Sequence, residues 1–195
     1  MKIGGFQKVS LIDYPGKIAA IVFTQGCNML CSYCHNLQLV KPELFEKTFN
    51  ENEILEFLKK RKRLLQGVVI SGGEPTLQSD LKFFIARLKD MGYSVKLDTN
   101  GSSPNILEEL INKNLIDFAA MDIKAPFEKY KLFNGANLGS IKRSIEILKS
   151  SKIQHLFRTT FDTEILTESD LEEIKKIVYP SNYAVQEKRE IVNKH

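Results

Sequence analysis

The sequence predicts an α/β fold in which parallel strands form an incomplete, TIM-like barrel. Strand-like and helix-like segments alternate along the chain, as they do when helical crossovers join parallel strands. The chain has 195 residues, fewer than the roughly 250 that a closed eight-stranded barrel takes. We therefore expect a single domain over residues 1–195, with its core at about 17–186 and a polar tail at 187–195 that frays.

The predicted strands are short apolar runs that end at turn-forming residues. They cover residues 18–24, 68–70, 93–97, 118–123, 155–161 and 183–186. Gln25-Gly26 ends the first strand, and Gly72-Gly73 follows the second. Because parallel α/β folds keep their reactive groups at the carboxyl ends of the strands, we expect the functional residues just after these runs.

The predicted helices show apolar residues at helical spacing between the strands. They cover 52–65, 78–91, a segment from Ser103-Pro104 onward, 138–151 and a segment after Thr167. Ser103 offers a capping hydroxyl, and Pro104 stands where a helix needs no amide. Thr167 and Asp170 have the spacing of a capping box, so the last helix begins there.

The composition indicates an ordinary globular protein. Hydrophobic residues make up 43% of the chain, and no apolar run approaches the roughly 20 residues of a membrane helix. The net charge of +4 is too small to indicate nucleic-acid binding, so we expect neither a membrane nor a nucleic-acid partner. Free thiols on a chain whose first residues do not resemble a signal peptide indicate the reducing cytoplasm.

The chain has three cysteines, Cys27, Cys31 and Cys34, in the spacing C-x3-C-x2-C. Cysteines this close cannot link distant parts of a fold, and a disulfide framework requires an even number. They lie on the loop that leaves the carboxyl end of the first predicted strand. Three thiols packed into this loop predict a metal site.

The spacing alone leaves several kinds of centre open. A structural zinc ion needs four ligands, and His35 is a candidate for the fourth, although adjacent residues seldom both reach one tetrahedral ion. Residues 31–35 also match the c-type haem signature, which requires export, and a thioredoxin-like pair would leave Cys27 without a role. An iron–sulfur cubane held by three thiolates would leave one iron open for a ligand, which favours a catalytic cluster.

With the aromatic Tyr33 before the last cysteine, the motif resembles the signature of the radical S-adenosylmethionine (SAM) enzymes. Other segments resemble the glycyl-radical-enzyme activases, and most closely the anaerobic ribonucleoside-triphosphate reductase activating proteins. These segments are Gly4–Phe6, Ser10–Lys17, Tyr33–Asn36, Ser71–Pro75, Leu97–Gly101 and Met121–Lys124. The resemblance runs from residue 3 to about residue 186 and implies a six-stranded partial barrel with a radical SAM core.

The resemblance implies that the three cysteines hold a [4Fe-4S] cluster whose open iron binds SAM. One electron from the cluster would then cleave the sulfonium and release a 5′-deoxyadenosyl radical. Contacts to SAM are expected from Tyr33, Gly72, Gly73, Glu74, Asp98, Asn100, Asp122, Lys124 and Arg158, with Gln186 as a weaker candidate.

The residue types at these positions suit such contacts, but several also have structural interpretations. Gly72 and Gly73 would let the backbone approach a ligand, or would simply form a turn. We expect the Glu74 carboxylate at the mouth of the barrel, where it could meet an ammonium group. Asp98 and Asp122 could together hold a monovalent cation beside the SAM carboxylate, or Asp98 could cap the turn that follows it.

Two cationic residues are also candidates for contact with SAM. Lys124 is a point charge suited to the methionine carboxylate, with a solvated lysine as the alternative. Arg158 lies inside an apolar strand, where an unpaired guanidinium is costly. Either a buried carboxylate or the ribose or carboxylate of SAM must therefore pair with Arg158.

These features predict a radical SAM oxidoreductase that generates a glycyl radical on a partner enzyme, which we expect to be an anaerobic ribonucleotide reductase. Flavodoxin or ferredoxin is the expected electron donor. The alternatives are a radical SAM enzyme that acts on a small nucleoside precursor or metabolite, and a zinc or iron–sulfur binding module without turnover. The basic run at 59–63 is expected to be a solvated helix end, with a docking patch for the electron donor as the second hypothesis.

Overall fold

The computed structural model describes residues 1–188, which form one sheet flanked by helices. The strands are β1 (Ile3–Ser10), β2 (Ala19–Thr24), β3 (Gly67–Gly72), β4 (Ser94–Thr99), β5 (Phe118–Asp122), β6 (Gln154–Phe161) and β7 (Tyr183–Glu187). The helices are α1 (Leu37–Val40), α2 (Glu51–Arg61), α3 (Leu81–Asp90), α4 (Pro104–Asn112), α5 (Leu138–Ser150) and α6 (Glu168–Val178).

The strands lie side by side in chain order, and β2 to β7 are all parallel. Within the described residues, β1 and β7 are the two edges of the sheet. The predicted α/β partial barrel with a parallel sheet is therefore confirmed. Glu187 belongs to β7 rather than to the predicted tail, and the rest of that tail after residue 188 lies outside the described residues.

The sequence analysis did not predict β1, which pairs antiparallel with β2 from Ile3 opposite Thr24 to Ser10 opposite Ala19. Two glycines lower the strand propensity of this segment, which hides it from a pattern search. An added Cβ on Gly5 would lie 3.2 Å from the Phe23 ring of β2, which is a tight contact. The strand is thus held by its pairing with β2 rather than by its own strand propensity.

The helix ends agree only partly with their predicted signals. Thr167 and Asp170 form the predicted capping box, in which each side chain accepts a hydrogen bond from the other residue's backbone N–H. Ser103 does stand at the N-cap of α4, but its side chain makes no capping hydrogen bond. In the described residues, no helix has both the length and the apolar character that crossing a membrane requires.

Side chains alternate between the two faces of the sheet, and each face has its own apolar core. Toward the helices, Val68 and Ile70 of β3 belong to the same core as Leu58 of α2 and Phe84 of α3. Val69, between them in sequence, points to the other face. This period-two alternation makes the inner face of the barrel a separate environment.

The inner face begins with a small apolar cluster, here called the floor: Tyr14, Ala19, Ile21, Val69, Phe118 and Ala120. Further along the strands the same face becomes polar. Asp122 lies two residues beyond Ala120 on β5, and Arg158 is its register partner on β6. Asp98 of β4 is the register partner of Ala120. The alternation thus brings charged side chains together above the floor, toward the carboxyl ends of the strands.

Candidate active site

A cavity of about 260 Å³ opens at the carboxyl ends of the parallel strands. It is lined by every residue predicted to bind the cluster or SAM except Glu74, and also by Gln186. Ser71, Thr99, Thr160, His35 and Asn36, which were not predicted to bind SAM, add to its polar lining. Residues that are far apart in sequence therefore meet at one site, as expected for strand ends of a parallel sheet.

The cysteines lie on the loop between β2 and α1, and all three are partly buried. The backbone of this loop is held in place by a bond from Gly26 N–H to the Leu39 carbonyl (2.7 Å). Asn100 reaches the loop from the end of β4, where its amide donates to the Cys27 sulfur (3.8 Å) and to Asn28 Oδ1 (3.0 Å). The thiols are thus positioned by contacts from another strand as well as by their own loop.

Burial raises the pKa of the Cys27 and Cys31 thiols. A bound metal reverses this effect, because a coordinating thiol is deprotonated outright. Within residues 1–188, no three His, Cys, Asp or Glu side chains are arranged to hold a single metal ion. A cubane cluster requires a different arrangement, in which each thiolate binds its own iron. The three thiols beside a cavity fit that donor set.

Gly72 and Gly73 are needed for close packing between two backbone segments. Gly72 has φ +115°, and a Cβ there would overlap the backbone of Thr24. A Cβ on Gly73 would overlap the carbonyl of Gly26, just before the first cysteine. Gly73 N–H donates to the Thr24 carbonyl at 2.9 Å. The glycine pair therefore lets the end of β3 support the cysteine loop, in addition to lining the cavity.

The structure does not place Glu74 at the mouth of the barrel, so that prediction of its position is wrong. Its side chain is fully buried and accepts hydrogen bonds from Thr99 Oγ1 (2.8 Å), from the Asn100 backbone N–H (2.7 Å) and from Thr76. Burial raises the pKa of Glu74, and these hydrogen bonds oppose the rise. Glu74 thus ties the end of β3 to the end of β4 beneath the cavity.

Arg158 is paired with two carboxylates on neighbouring strands. Its Nε and Nη2 lie 2.9 Å from Asp122 Oδ1, and its Nη1 lies 3.4 Å from Asp98 Oδ2. Of the two partners considered from the sequence, a buried carboxylate is the one that this structure shows. Asp98 pairs with cations, and within the described part of the chain its side chain accepts no hydrogen bond from the turn that follows it.

Lys124 lies on the other side of Asp122, with its Nζ 3.0 Å from Oδ2. Although burial disfavours the charge on Asp122, Arg158 and Lys124 lower the pKa of this carboxyl to about 2. Burial likewise opposes the charges on Lys124 and Arg158, but the neighbouring carboxylates hold the pKa of both above the usual values. All three groups are therefore charged at neutral pH.

Tyr33, which lies between Cys31 and Cys34 in the sequence, lines the cavity. Its ring packs edge-on against Phe133, with the ring centroids 6.2 Å apart. The Lys124 ammonium lies 5.9 Å from the centre of the Tyr33 ring. The Tyr33 hydroxyl is buried and has no hydrogen-bond partner among the described residues. An unpaired hydroxyl is costly in such a place, and a polar ligand in the cavity would remove that cost.

The sequence analysis missed Lys96, which is buried in β4 two residues before Asp98 and pairs with it. Lys96 stands in an apolar strand two residues before Asp98, so both side chains point to the same face of the sheet. That position is the sequence signal that could have identified it. The same reasoning had already selected Arg158.

The basic run at 59–63 lies far from the cavity. Lys59, Lys60 and Arg61 occupy the last turn of α2, where they complement the helix dipole. The chain then enters the amino end of β3, whereas the thiols lie beyond the carboxyl ends of the strands. A donor docked at this run would be separated from the thiols by the length of the strands, about 20 Å. This placement favours the solvated helix end over the docking patch.

The model of the radical SAM superfamily matches residues 21–178. A Methanocaldococcus jannaschii protein with the provisional name glycyl-radical enzyme activating enzyme is 40% identical over 197 aligned positions, which cover 95% of this chain and 79% of that protein. The pyruvate formate-lyase-activating enzyme of Clostridium pasteurianum is 33% identical over 145 positions, covering 69% of this chain and 57% of its own length.

A solved structure of Streptococcus suis SuiB bound to SAM superposes with a TM-score of 0.67 at 15% identity, over 89% of this chain and 41% of that one. This likeness concerns the fold. The fold is a strand–helix barrel with three cysteines beside its cavity, and the superfamily model matches most of the chain. The chain therefore belongs to the radical SAM superfamily. Its cofactors are a [4Fe-4S] cluster and SAM, and it is an oxidoreductase.

Proposed function

We propose that this protein activates a glycyl-radical enzyme by removing a hydrogen atom from the α-carbon of a glycine in that partner. The observation that carries the proposal is the convergence of the cysteine loop with the acidic and basic residues of β4, β5 and β6 in one cavity. The similarity to a provisionally named glycyl-radical enzyme activating enzyme supports the substrate class. The specific partner proposed is an anaerobic ribonucleoside-triphosphate reductase.

When bound, the cluster would supply the single electron for the reductive cleavage of SAM, and this cleavage would provide the radical that takes the glycine hydrogen. The protein's own residues hold the reactants. Cys27, Cys31 and Cys34 are the proposed thiolate ligands. Their loop is braced by Asn100 and by the glycine pair after β3, so the ligands are preorganised before the cluster binds.

The charged residues of the cavity are proposed to orient SAM. Among residues 1–188, Lys124 has one carboxylate partner, Asp122, so its ammonium can also pair with the methionine carboxylate. Arg158 is fixed by both aspartates, which limits its motion and directs its remaining donors. The Tyr33 hydroxyl, which lacks a partner among the described residues, is a further contact for a polar group of the ligand.

The proposed partner is supported by sequence rather than by the cavity. The segments Ser10–Lys17 and Tyr33–Asn36 resemble those of reductase activating proteins more closely than those of other activases. The proposed electron donor is flavodoxin or ferredoxin, and the proposed location is the cytoplasm, where free thiols remain reduced.

The test is anaerobic reconstitution with iron and sulfide, followed by reduction in the presence of SAM. We expect 5′-deoxyadenosine, and a glycyl radical signal in electron paramagnetic resonance (EPR) once the reductase is added. The Cys34→Ala variant, carried through the same protocol, should yield neither product.

Pyruvate formate-lyase serves as the comparison substrate. A glycyl signal on that enzyme and none on the reductase would overturn the partner assignment but keep the activase function. Production of 5′-deoxyadenosine with no glycyl signal on either enzyme would favour a small-molecule substrate. Absence of 5′-deoxyadenosine from a protein that holds a full cluster would contradict the proposed reaction itself.

A further inference from the structure

Lys96 is a buried lysine for which the proposed reaction has no use. Its side chain is 4% exposed and its Nζ lies 2.5 Å from Asp98 Oδ1, on the inner face of β4. It does not line the cavity, since Asp98 stands between it and the opening. Burial of an ammonium group is expensive unless a carboxylate pairs with it, so the contact with Asp98 requires an explanation.

Lys96 is the first member of a row of alternating charges across three strands, which we call the charge row: Lys96, Asp98, Arg158, Asp122 and Lys124. Asp98 contacts Lys96 through Oδ1 and Arg158 through Oδ2. Asp122 contacts Arg158 through Oδ1 and Lys124 through Oδ2. Each carboxylate oxygen in the row thus has a cationic donor from the protein.

The row contains three cations and two carboxylates, so it carries a net charge of +1. A monovalent metal ion between Asp98 and Asp122 would have to share their carboxylate oxygens with the cationic donors already present. The ion would also raise the net charge of this partly buried row from +1 to +2. Such an excess of charge is unfavourable in a low dielectric. The cation expected from the sequence therefore does not fit this arrangement.

We infer that Lys96 takes the place of the monovalent cation, so that SAM binds this protein without any added metal ion. Lys96 acts as a positioning residue. It neutralises Asp98, which leaves Arg158 and Lys124 with a net positive charge toward the SAM carboxylate. The inference rests on SAM binding in this cavity, as the proposed function requires.

The experiment measures SAM binding to the reconstituted, reduced protein through the change that SAM causes in the EPR spectrum of the cluster. Titrations are made in potassium chloride and in choline chloride at equal ionic strength, because choline is too large to replace K⁺. For the unaltered protein we expect the same apparent affinity in both salts, within about twofold.

Two variants of Lys96 separate charge from volume. Lys96→Ala removes the ammonium and leaves space, so SAM affinity should fall about tenfold in choline and recover in potassium. Lys96→Met removes the charge but fills the space, so affinity should fall in both salts. Iron content and circular dichroism check that each variant folds and holds its cluster. Lys89→Met, which removes a lysine paired with Asp117 away from the site, should behave like the unaltered protein.

Stronger SAM binding by the unaltered protein in potassium than in choline would overturn the inference. So would an unchanged affinity of Lys96→Met, because the ammonium would then be dispensable. A Lys96→Ala variant that folds but gains nothing from potassium would also contradict it. If SAM changed the spectrum in neither salt, the proposed function would itself fail, and that result is distinguishable from a dependence on the ion.

Discussion

Asp122 and Arg158 face each other in register across β5 and β6, and two guanidinium nitrogens lie 2.9 Å from the same carboxylate oxygen. The pair stands at the point where the inner face of the barrel changes from apolar to charged. Side chains on this face have limited access to water, with Arg158 17% and Asp122 31% exposed. The pair therefore contributes both to stability and to the charge of the cavity.

Replacing Arg158 with Leu should destabilise the protein by about 1–3 kcal/mol, because Asp122 and Asp98 each lose a charged donor. SAM affinity should fall as well. Urea unfolding of the cluster-free protein under anaerobic conditions measures the first effect. Arg143→Leu, which breaks an exposed pair with Glu108, is the matched control and should cost less than about 0.5 kcal/mol.

The cost of Arg158→Leu should depend on pH. The pKa of Asp122 is lowered from 3.8 to about 2 in the folded protein, so its charge stabilises the fold above pH 4. That contribution is lost progressively as the pH falls from about 4 to below 2, where the carboxyl is protonated in both states. The difference in unfolding free energy between the two proteins should therefore shrink between pH 6 and pH 3. A constant difference would show that the ion pair is not its source.

Glu74→Gln should loosen the junction of β3 and β4. The carboxylate of Glu74 accepts hydrogen bonds from Asn100 N–H and from Thr99 Oγ1. A glutamine would place its N–H₂ group, which is a donor, at one of these two positions. One of the two donors would therefore lose its acceptor. A buried unsatisfied donor costs about 1–3 kcal/mol. Thermal unfolding should show this loss, and the exposed Glu108→Gln should show almost none. Equal stability of the two variants would mean that the network around Glu74 is not needed.

Gly73→Ala should reduce the amount of cluster that the protein retains. The added methyl group would overlap the Gly26 carbonyl and push the cysteine loop away from β3. Iron and sulfide content after reconstitution is the measurement. Gly139→Ala, in α5, is the control, since its Cβ would meet only the end of the Asn137 side chain at 3.3 Å. Full cluster content in Gly73→Ala would show that the loop tolerates this displacement.

Replacement of Cys27, Cys31 or Cys34 with Ala should abolish both cluster assembly and 5′-deoxyadenosine production. His35→Ala should leave the cluster intact, because a cubane with three thiolate ligands does not require the imidazole. Absorption and EPR spectra of the reconstituted variants make the comparison. Loss of metal from His35→Ala would instead point to a four-ligand zinc site, and full turnover by any cysteine variant would contradict the ligand assignment.

Reversing the charges of Lys59, Lys60 and Arg61 should not alter the rate of reduction by flavodoxin or the dependence of that rate on salt. These residues end α2, at the amino end of the strands and away from the thiols. Stopped-flow reduction at two ionic strengths is the measurement. A slower rate at low salt alone would show that the donor docks there after all.

The class of fold, the cysteine trio and most of the cavity lining follow from the amino-acid sequence alone. Strands and helices each have a pattern of apolar residues within one short segment, so they can be predicted from the sequence segment by segment. The ends of the predicted strands then indicate where functional residues lie. The spacing of the cysteines is also local, because one loop carries all three.

The pairing of the charged residues and the position of Glu74 depend instead on how distant segments pack in the fold. Period two predicts which face of a strand a residue occupies, but it does not predict which side chains meet across strands. Asp98 and Arg158 are separated by 60 positions in sequence and meet because of strand register and curvature. Glu74 turned inward because the end of β4 presents hydrogen-bond donors to it, and β1 is held in the sheet by its antiparallel pairing with β2. Each outcome depends on contacts between distant segments, which no local pattern contains.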